Sequence, residues 1–483
     1  MRQPVRALSG RQLATLLPAF TGVRPAYRQL SEAISALILD GQIALHVRLP
    51  AERALAAALG LSRPTVTASY NLLRADRYAH SRQGSGTWTA LPKEVLPHKI
   101  TRALPPSDTT IDLARAAPGL PSHVLADALG RIAPQLAAHS RTSGYHPDGL
   151  PELRAAVADR FTRRGLATLP EQILITSGAQ HALSLVLGLL AAPGDRMMVE
   201  NPSYPNALEG MRRAHLRTVS VPVSDHGWDV EAIEDTLRQT VPQLAFLMPD
   251  FHNPTGLLMP DEERVRVLRA ARPADTWLLI DETTADLALD LPAPRPFASH
   301  AEPGGSGRVI TIGSMSKTHW GGLRIGWLRA PARLVTELAA QRIATDLGGS
   351  VLDQLLAHAL LTGAEDLLRS HLARVGEQRD ALAAALTEHF PWWRWQLPPG
   401  GLSLWVDLGE PTASTLAARS LEHGVRIESG ARFTTDPGVF ENRLRIPYTS
   451  PPHILREAIQ RMTTAMGRQP RTPSADRRPH WVV

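Results

Sequence analysis

Residues 92–110 hold Pro92, Pro97, Pro105 and Pro106 and show little apolar periodicity. Proline has no N–H to donate and a fixed φ, so a stretch this rich in it builds neither a helix interior nor a sheet ladder. The segment reads as an extended, semi-rigid linker. It divides the chain at one fifth of its length. A chain of 483 residues, 43% of them hydrophobic, is in any case too long for one ordinary core.

Before the linker the pattern is helical. Residues 1–22 lack periodicity and are expected to form an arm. From Pro25, residues Leu30, Ile34, Leu37 and Ile38 fall on one helical face, and Gly41 stands where a C-terminal cap belongs. A short second helix over 51–59 is closed by Gly60. Ser62 can cap a third, with Pro64 tolerated in its first turn and Val66, Tyr70 and Leu73 forming its buried stripe. Arg63, Thr67 and Arg74 occupy the other face. Two extended runs, 78–82 and 87–90, flank Gly84-Ser85-Gly86 and predict a hairpin, so residues 23–91 have the make-up of a winged helix-turn-helix.

Charge separates the same two regions. Residues 1–91 carry 11 Arg, no Lys and 4 acidic residues, a net of +7, while the remainder holds 41 basic and 42 acidic groups. The positive excess confined to the head points to a polyanionic partner, because clustered guanidinium groups gain affinity by releasing phosphate counterions.

After the linker, continuous apolar runs at 173–176, 196–200, 244–248, 277–281 and 309–313 alternate with helical stretches. Such runs belong to a mostly parallel sheet covered by helices, an α/β domain over 111–466. A smaller α+β portion is expected over about 370–466, and residues 467–483, with three prolines and Arg471, Arg477 and Arg478, as a disordered tail. Without cysteine there is no disulfide and no thiolate metal site. No metal is expected. The longest apolar run, 182–192, is far too short to span a bilayer, so no membrane partner is expected either, and the protein is expected in the cytoplasm.

Lysine usage narrows the chemistry. Only Lys93, Lys99 and Lys317 are lysine among 52 basic residues. Arginine cannot replace lysine where an amine must deprotonate and attack a carbonyl. Lys317, alone beyond residue 99, is the candidate catalytic amine.

Two resemblances follow from the motifs. The segment RLPAERALAAALGLSRPTVTASYNLLRADRYAHSRQGSGTW, from Arg48, resembles the winged-helix domain of the GntR family of bacterial regulators. The resemblance implies double-stranded DNA as partner, read as two half-sites. It brings Arg48, Arg53, Ser62, Arg63, Thr65 and Thr67 to base edges or phosphates, and Gly84 lets the wing approach the backbone. Thr67 stands where the family often has arginine, and Arg77 where it usually has glycine.

Residues 111–466 resemble fold-type I, aminotransferase-class proteins, and the fusion resembles the MocR subfamily of regulators. The cofactor implied is pyridoxal 5′-phosphate (PLP). In SMSKTHWGGLRIGW, from Ser314, Lys317 matches the Schiff-base lysine, and Ser314, Ser316 and Arg324 match phosphate ligands. Gly178 and Ala179 in SGAQHAL would cradle the phosphate at a helix N-terminus. Asp281 in WLLIDETTADL matches the partner of the pyridinium nitrogen, Asn253 in FHNPTG the donor to the ring hydroxyl, and Tyr204 in ENPSYPNAL the stacked aromatic. Arg445 in NRLRIPYTSP matches the arginine that grips an amino acid carboxylate. Tyr145 in GYHPDGLPELR matches a tyrosine reaching the neighbouring subunit's phosphate, which implies a homodimer acting in trans. Where many relatives place a tyrosine just after the aspartate, this chain has Thr283 and Thr284, too short for the same contact. The combination predicts a transcriptional regulator responsive to PLP or to its external aldimine with an amino compound. The alternative is a working aminotransferase with a DNA-binding head.

Overall fold

In the computed structural model, which describes residues 7–18, 25–82, 86–91, 110–302, 305–363 and 365–467, the head is built on the stripe predicted for its first long helix. Leu30, Ile34, Leu37 and Ile38 are the buried apolar residues of α2 (Ala26–Leu39). They pack with Leu55 of α3 (Glu52–Leu59) and with Val66, Tyr70 and Leu73 of α4 (Arg63–Ala75). Gly60 ends α3 in the left-handed conformation, and the Ser62 hydroxyl accepts from the Thr65 amide at 3.3 Å to start α4. Strands β1 (Ala79–Arg82) and β2 (Gly86–Thr89) pair antiparallel as the wing.

The expected arm is partly helical. Residues 10–16 form α1 (Gly10–Leu16), capped reciprocally by Ser9 and Gln12, with Leu13 fully buried in the head core. Seven residues offer too few buried positions for a helical period to register in sequence. The linker over 92–109, Gly84 and the tail from 468 lie outside the described residues.

Beyond the linker, β3 (Ile111–Asp112) leads into a sheet of eight strands: β4 (Ile173–Thr176), β5 (Arg196–Asn201), β6 (Arg217–Ser224), β7 (Gly227–Trp228), β8 (Leu244–Leu247), β9 (Trp277–Asp281), β10 (Val309–Ser314) and β11 (Gly326–Arg329). Their order is β4-β11-β10-β9-β8-β5-β6-β7. The run from β10 through β6 is parallel, whereas β11 runs antiparallel to both of its neighbours. Helices bury both faces, with Leu183, Val186 and Leu338 packed on one side and Ile233, Val267 and Phe297 on the other. This is the covered, mostly parallel sheet that continuous apolar strands require.

The smaller portion contains β12 (Ser403–Asp407), β13 (Val425–Arg426), β14 (Glu428–Ser429) and β15 (Arg443–Pro447), with β12, β15 and β14 forming one sheet under the helices Glu365–His389 and Pro452–Met466. It also takes in residues outside its expected range, since β3 pairs in parallel with β13 and Leu113 enters its core. The first residues after the linker therefore belong to the small part and then cross to the large one. Among the described residues no helix is long and apolar enough to cross a membrane, and no cluster of acids and histidines suits a metal ion.

Candidate cofactor pocket and nucleic-acid face

Chain reversals at the carboxyl ends of β4, β5, β8, β9 and β10 converge on one pocket, where ligands of open α/β sheets bind. Gly178, Ala179, Tyr204, Asn253, Asp281, Ser314, Ser316, Lys317 and Arg324 all line it. Residues separated widely in sequence thus meet in one pocket.

One end of the pocket is built for an anion. Gly178, at φ +88, precedes the helix Ala179–Leu190, whose first amides have no side-chain cap. A side chain at 178 would meet the Arg324 guanidinium at 2.9 Å. Arg324 itself adopts φ +51 and donates to the Ser177 carbonyl at 2.8 Å, which draws its charge across that helix start. The Ser314 hydroxyl lies 3.1 Å from both Ser316 Oγ and the Ile325 carbonyl and accepts from the Ser316 amide at 3.1 Å, so the two serines share one fixed loop.

The other end holds the reactive amine. Lys317 Nζ donates to the Ala116 carbonyl at 2.6 Å. Burial lowers its pKa to about 8, the nearby Arg445 charge adding to the effect and Asp281 opposing it. Burial also pushes the Asp281 carboxyl above the ordinary range, although Thr283 donates its amide to Oδ1 at 2.9 Å and Lys317 stabilises the charge. A buried carboxyl in that condition suits a cationic partner. Asn253 Oδ1 is buried without a hydrogen-bond partner among the described residues. The Tyr204 hydroxyl accepts from Asn206 at 2.8 Å, and burial raises its pKa.

Arg445 is not among the residues that line the pocket, although its charge acts on Lys317. It donates to the Ala114 carbonyl, its guanidinium carbon sits 5.4 Å from the Phe433 ring centroid, and its Nε has no hydrogen-bond partner among the described residues. Burial depresses its pKa to about 10, with Glu428 and Tyr204 opposing. An arginine so weakly compensated suits a carboxylate ligand. Tyr145 is elsewhere, 66% exposed and outside the pocket formed by its own chain. Thr284 donates to the Asp250 carbonyl at 2.6 Å, which turns its hydroxyl away from the role of the missing tyrosine.

Residues that sequence reasoning missed contribute mainly backbone or packing. Ala116 holds Lys317 through its carbonyl, and Phe251, Leu402 and Ser403 complete the wall. A carbonyl carries no side-chain signal, so nothing in the motif flagged Ala116.

On the head, Arg48, Arg53, Ser62 and Arg63 are exposed and Thr65 is half-buried. Thr67 differs from the expectation of a free face residue, because its hydroxyl donates to Glu52 at 2.7 Å and to the Arg63 carbonyl at 3.1 Å. Arg74 binds Ser81 and Thr87 at 3.2 and 3.1 Å, tying α4 to the wing. Arg77 adopts φ +63, a left-handed conformation that explains why glycine is usual there.

Comparison with known proteins finds two matching families. Residues 110–462 match the family "Aminotransferase class I and II" and residues 26–88 match "Bacterial regulatory proteins, gntR family". The chain is 32% identical over 399 residues to the probable rhizopine catabolism regulatory protein MocR of Rhizobium meliloti, covering 76% of this chain and 78% of that one. It is 30% identical to the HTH-type transcriptional regulator TauR of Rhodobacter capsulatus, covering 91% and 96%. Among solved structures, LysN, an α-aminoadipate aminotransferase of Thermus thermophilus complexed with N-(5′-phosphopyridoxyl)-L-leucine, superposes with a TM-score of 0.69 at 29% identity over 74% of this chain and 92% of that one.

Proposed function

This chain belongs to the class I and II aminotransferase family and, with its gntR-family head, to the MocR subfamily of regulators, and from that premise we propose that an amino compound captured at Lys317 and Arg445 controls how the head binds DNA. The protein is a DNA-binding regulator with a PLP domain. The observation that carries the proposal is the convergence of a depressed lysine, a buried aspartate and a weakly compensated arginine around one pocket.

Bound PLP supplies an electrophilic aldehyde carbon and an electron-withdrawing ring. Lys317, its pKa lowered to about 8 by burial, would be the amine that holds PLP, with an appreciable neutral fraction near neutrality. Ser314, Ser316, Arg324 and the amides at Gly178 and Ala179 would hold the phosphate. Asp281 would pair with the ring nitrogen, Asn253 would bond the ring hydroxyl, and Tyr204 would pack against the ring. Arg445 receives the α-carboxylate in a two-pronged hydrogen bond. Tyr145 reaches the phosphate site of a second subunit, so two pockets form in a homodimer and two heads meet two half-sites.

Binding at the pocket changes DNA affinity only if the ligand prefers one arrangement of the heads. The test is a DNA-binding isotherm on the sequence upstream of the protein's own gene, with and without PLP and amino acids. A shift that disappears in Lys317→Ala supports the proposal, and isotherms that superimpose refute it. The enzymatic reading keeps the same residues, and multiple turnovers of an amino acid with a keto acid would establish it.

A further inference from the structure

The helix that opens the head's core ends on the small part of the body. Leu39, the last residue of α2, accepts from the Phe440 amide at 2.8 Å. Asp40 Oδ1 accepts from Asn442 Nδ2 at 2.8 Å and from Arg443 Nε at 3.3 Å. Gly41, at φ +66, fits so closely that an added Cβ would lie 3.0 Å from each of Val439, Phe440 and Asn201. Leu45 and Leu91 of the head pack on the cluster of Trp405, Phe433, Val439 and Phe440. The remaining guanidinium nitrogens of Arg443 donate to both oxygens of Asp225 at 3.2 and 3.0 Å, in the turn between β6 and β7. Head, small part and large part therefore meet at Arg443.

The same cluster reaches the pocket. Arg443 and Arg445 stand two residues apart on β15, so both project from one face of that strand. Arg445 lies over Phe433, Phe433 contacts Trp405 edge-on with centroids 5.7 Å apart, and Trp405 contacts Phe440 at 5.7 Å. Phe440 then binds the end of α2. In the other direction, the Phe433 carbonyl accepts from the Ser203 amide at 2.7 Å, next to Tyr204. Three ring contacts and one hydrogen bond thus separate Arg445 from the head backbone.

This geometry sets a carboxylate ligand in competition with existing contacts. A two-pronged hydrogen bond to Arg445 draws the guanidinium from the Ala114 carbonyl and neutralises the charge that holds it over the Phe433 face. Close-packed rings do not deform continuously, so a shift of Phe433 passes on as a change of packing at Phe440.

We propose that the Leu39–Gly41 corner and the Phe440–Arg443 segment form a latch through which occupancy at Arg445 changes the hold on the DNA-binding head. The inference rests on the regulatory reading above and names its route. The test uses full-length, PLP-loaded protein and, as probe, the standard L-amino acid that shifts the imine absorbance at the lowest concentration. The quantity read is the ratio of DNA dissociation constants with and without that amino acid, expected to be roughly tenfold in the unaltered protein, within the usual range for allosteric coupling.

Asp40→Asn retains the Arg443–Asp225 pair but loses the charge that binds the head, and its ratio should fall below twofold while the absorbance response to the amino acid persists. Asn442→Ala, which deletes the 2.8 Å bond from the body side, should lower the ratio in the same direction and decides the matter if Asp40→Asn does not fold. A responsive unaltered protein alongside an equally responsive Asp40→Asn overturns the latch alone. An unaltered protein whose DNA affinity ignores the amino acid overturns the regulatory reading together with the latch.

Discussion

The head and the body hold their functional side chains in opposite conditions. On the head, Arg48, Arg53 and Arg63 stand in solvent over a small core of α1 to α4. In the body, Lys317, Asp281 and Arg445 are partly or wholly withdrawn from water, and each shifts the acidity of another, Arg445 and Asp281 pulling Lys317 in opposite directions. An exposed cation exchanges water for phosphate at small structural cost, since isolated surface charges contribute about 0–1 kcal/mol to folding. A buried charge lacking its partner costs several kcal/mol. The head can therefore be altered one contact at a time, whereas a change at one residue of the body pocket is felt by its neighbours.

The largest expected effect is Lys317→Ala. At PLP equimolar with protein the visible imine absorbance should vanish, because Lys317 is the one lysine beyond residue 99. Ligand-free DNA affinity should stay within about twofold, as no head contact is touched. An imine band that survives in this variant breaks the assignment of Lys317. A large loss of ligand-free DNA affinity breaks the separation of head from body.

Next in size is Arg445→Ala. A charge-assisted, two-pronged hydrogen bond to a carboxylate is worth on the order of 3 kcal/mol. The amino acid concentration that half-shifts the imine absorbance should therefore rise about 100-fold. PLP loading should persist, because Arg445 is not among the residues that line the pocket. An unchanged half-point would remove Arg445 from the ligand site.

How far these residues were legible in sequence depends on whether they act through side chains. The stripe Leu30, Ile34, Leu37 and Ile38 registered because burial on one helical face leaves a period, and the five apolar strands because burial on both faces of a sheet leaves an unbroken apolar run. Strand β6 did not, since its burial alternates and Pro222 interrupts it. Strand β11 was hidden by its brevity and by Arg329, which is buried against Thr168. Lys317, Asp281 and Arg324 were legible because their chemistry admits few substitutes. Ala114, Ala116 and Phe433 were not, because two act through carbonyls and the third through ring packing. Thr67 looked free because the sequence does not show that Glu52 of α3 lies against it.

A smaller effect is expected from Arg63→Ala on the head. Arg63 is 70% exposed with only a 3.8 Å approach to Glu52. Loss of a base-edge contact would weaken DNA binding by roughly 1–3 kcal/mol and relax specificity at one position, and loss of a phosphate contact would weaken all sequences alike and reduce the salt slope by about one. Isotherms over a range of salt distinguish the two. The imine absorbance should not move, in contrast to Lys317→Ala.

The smallest expected effect is a displacement along the pH axis, and it tests whether the pocket's charges are coupled as claimed. On the proposed reading the neutral amine of Lys317 is the form that takes up PLP, and its pKa is lowered to about 8. The rate of PLP loading should therefore rise about tenfold per pH unit below that value and level off above it. Arg445→Gln removes the second-largest cause of the depression but leaves the largest, burial, in place. The break should then move upward by less than the whole depression, remaining short of the ordinary lysine value of 10.5. The same shift has a stability consequence. Between about pH 8 and 10.5 the unfolded chain binds the Lys317 proton and the folded one does not. The Lys317 contribution to the stability of the cofactor-free protein should therefore rise with pH across that window. A loading profile that breaks at the same pH in Arg445→Gln would show that the two cations do not sense each other.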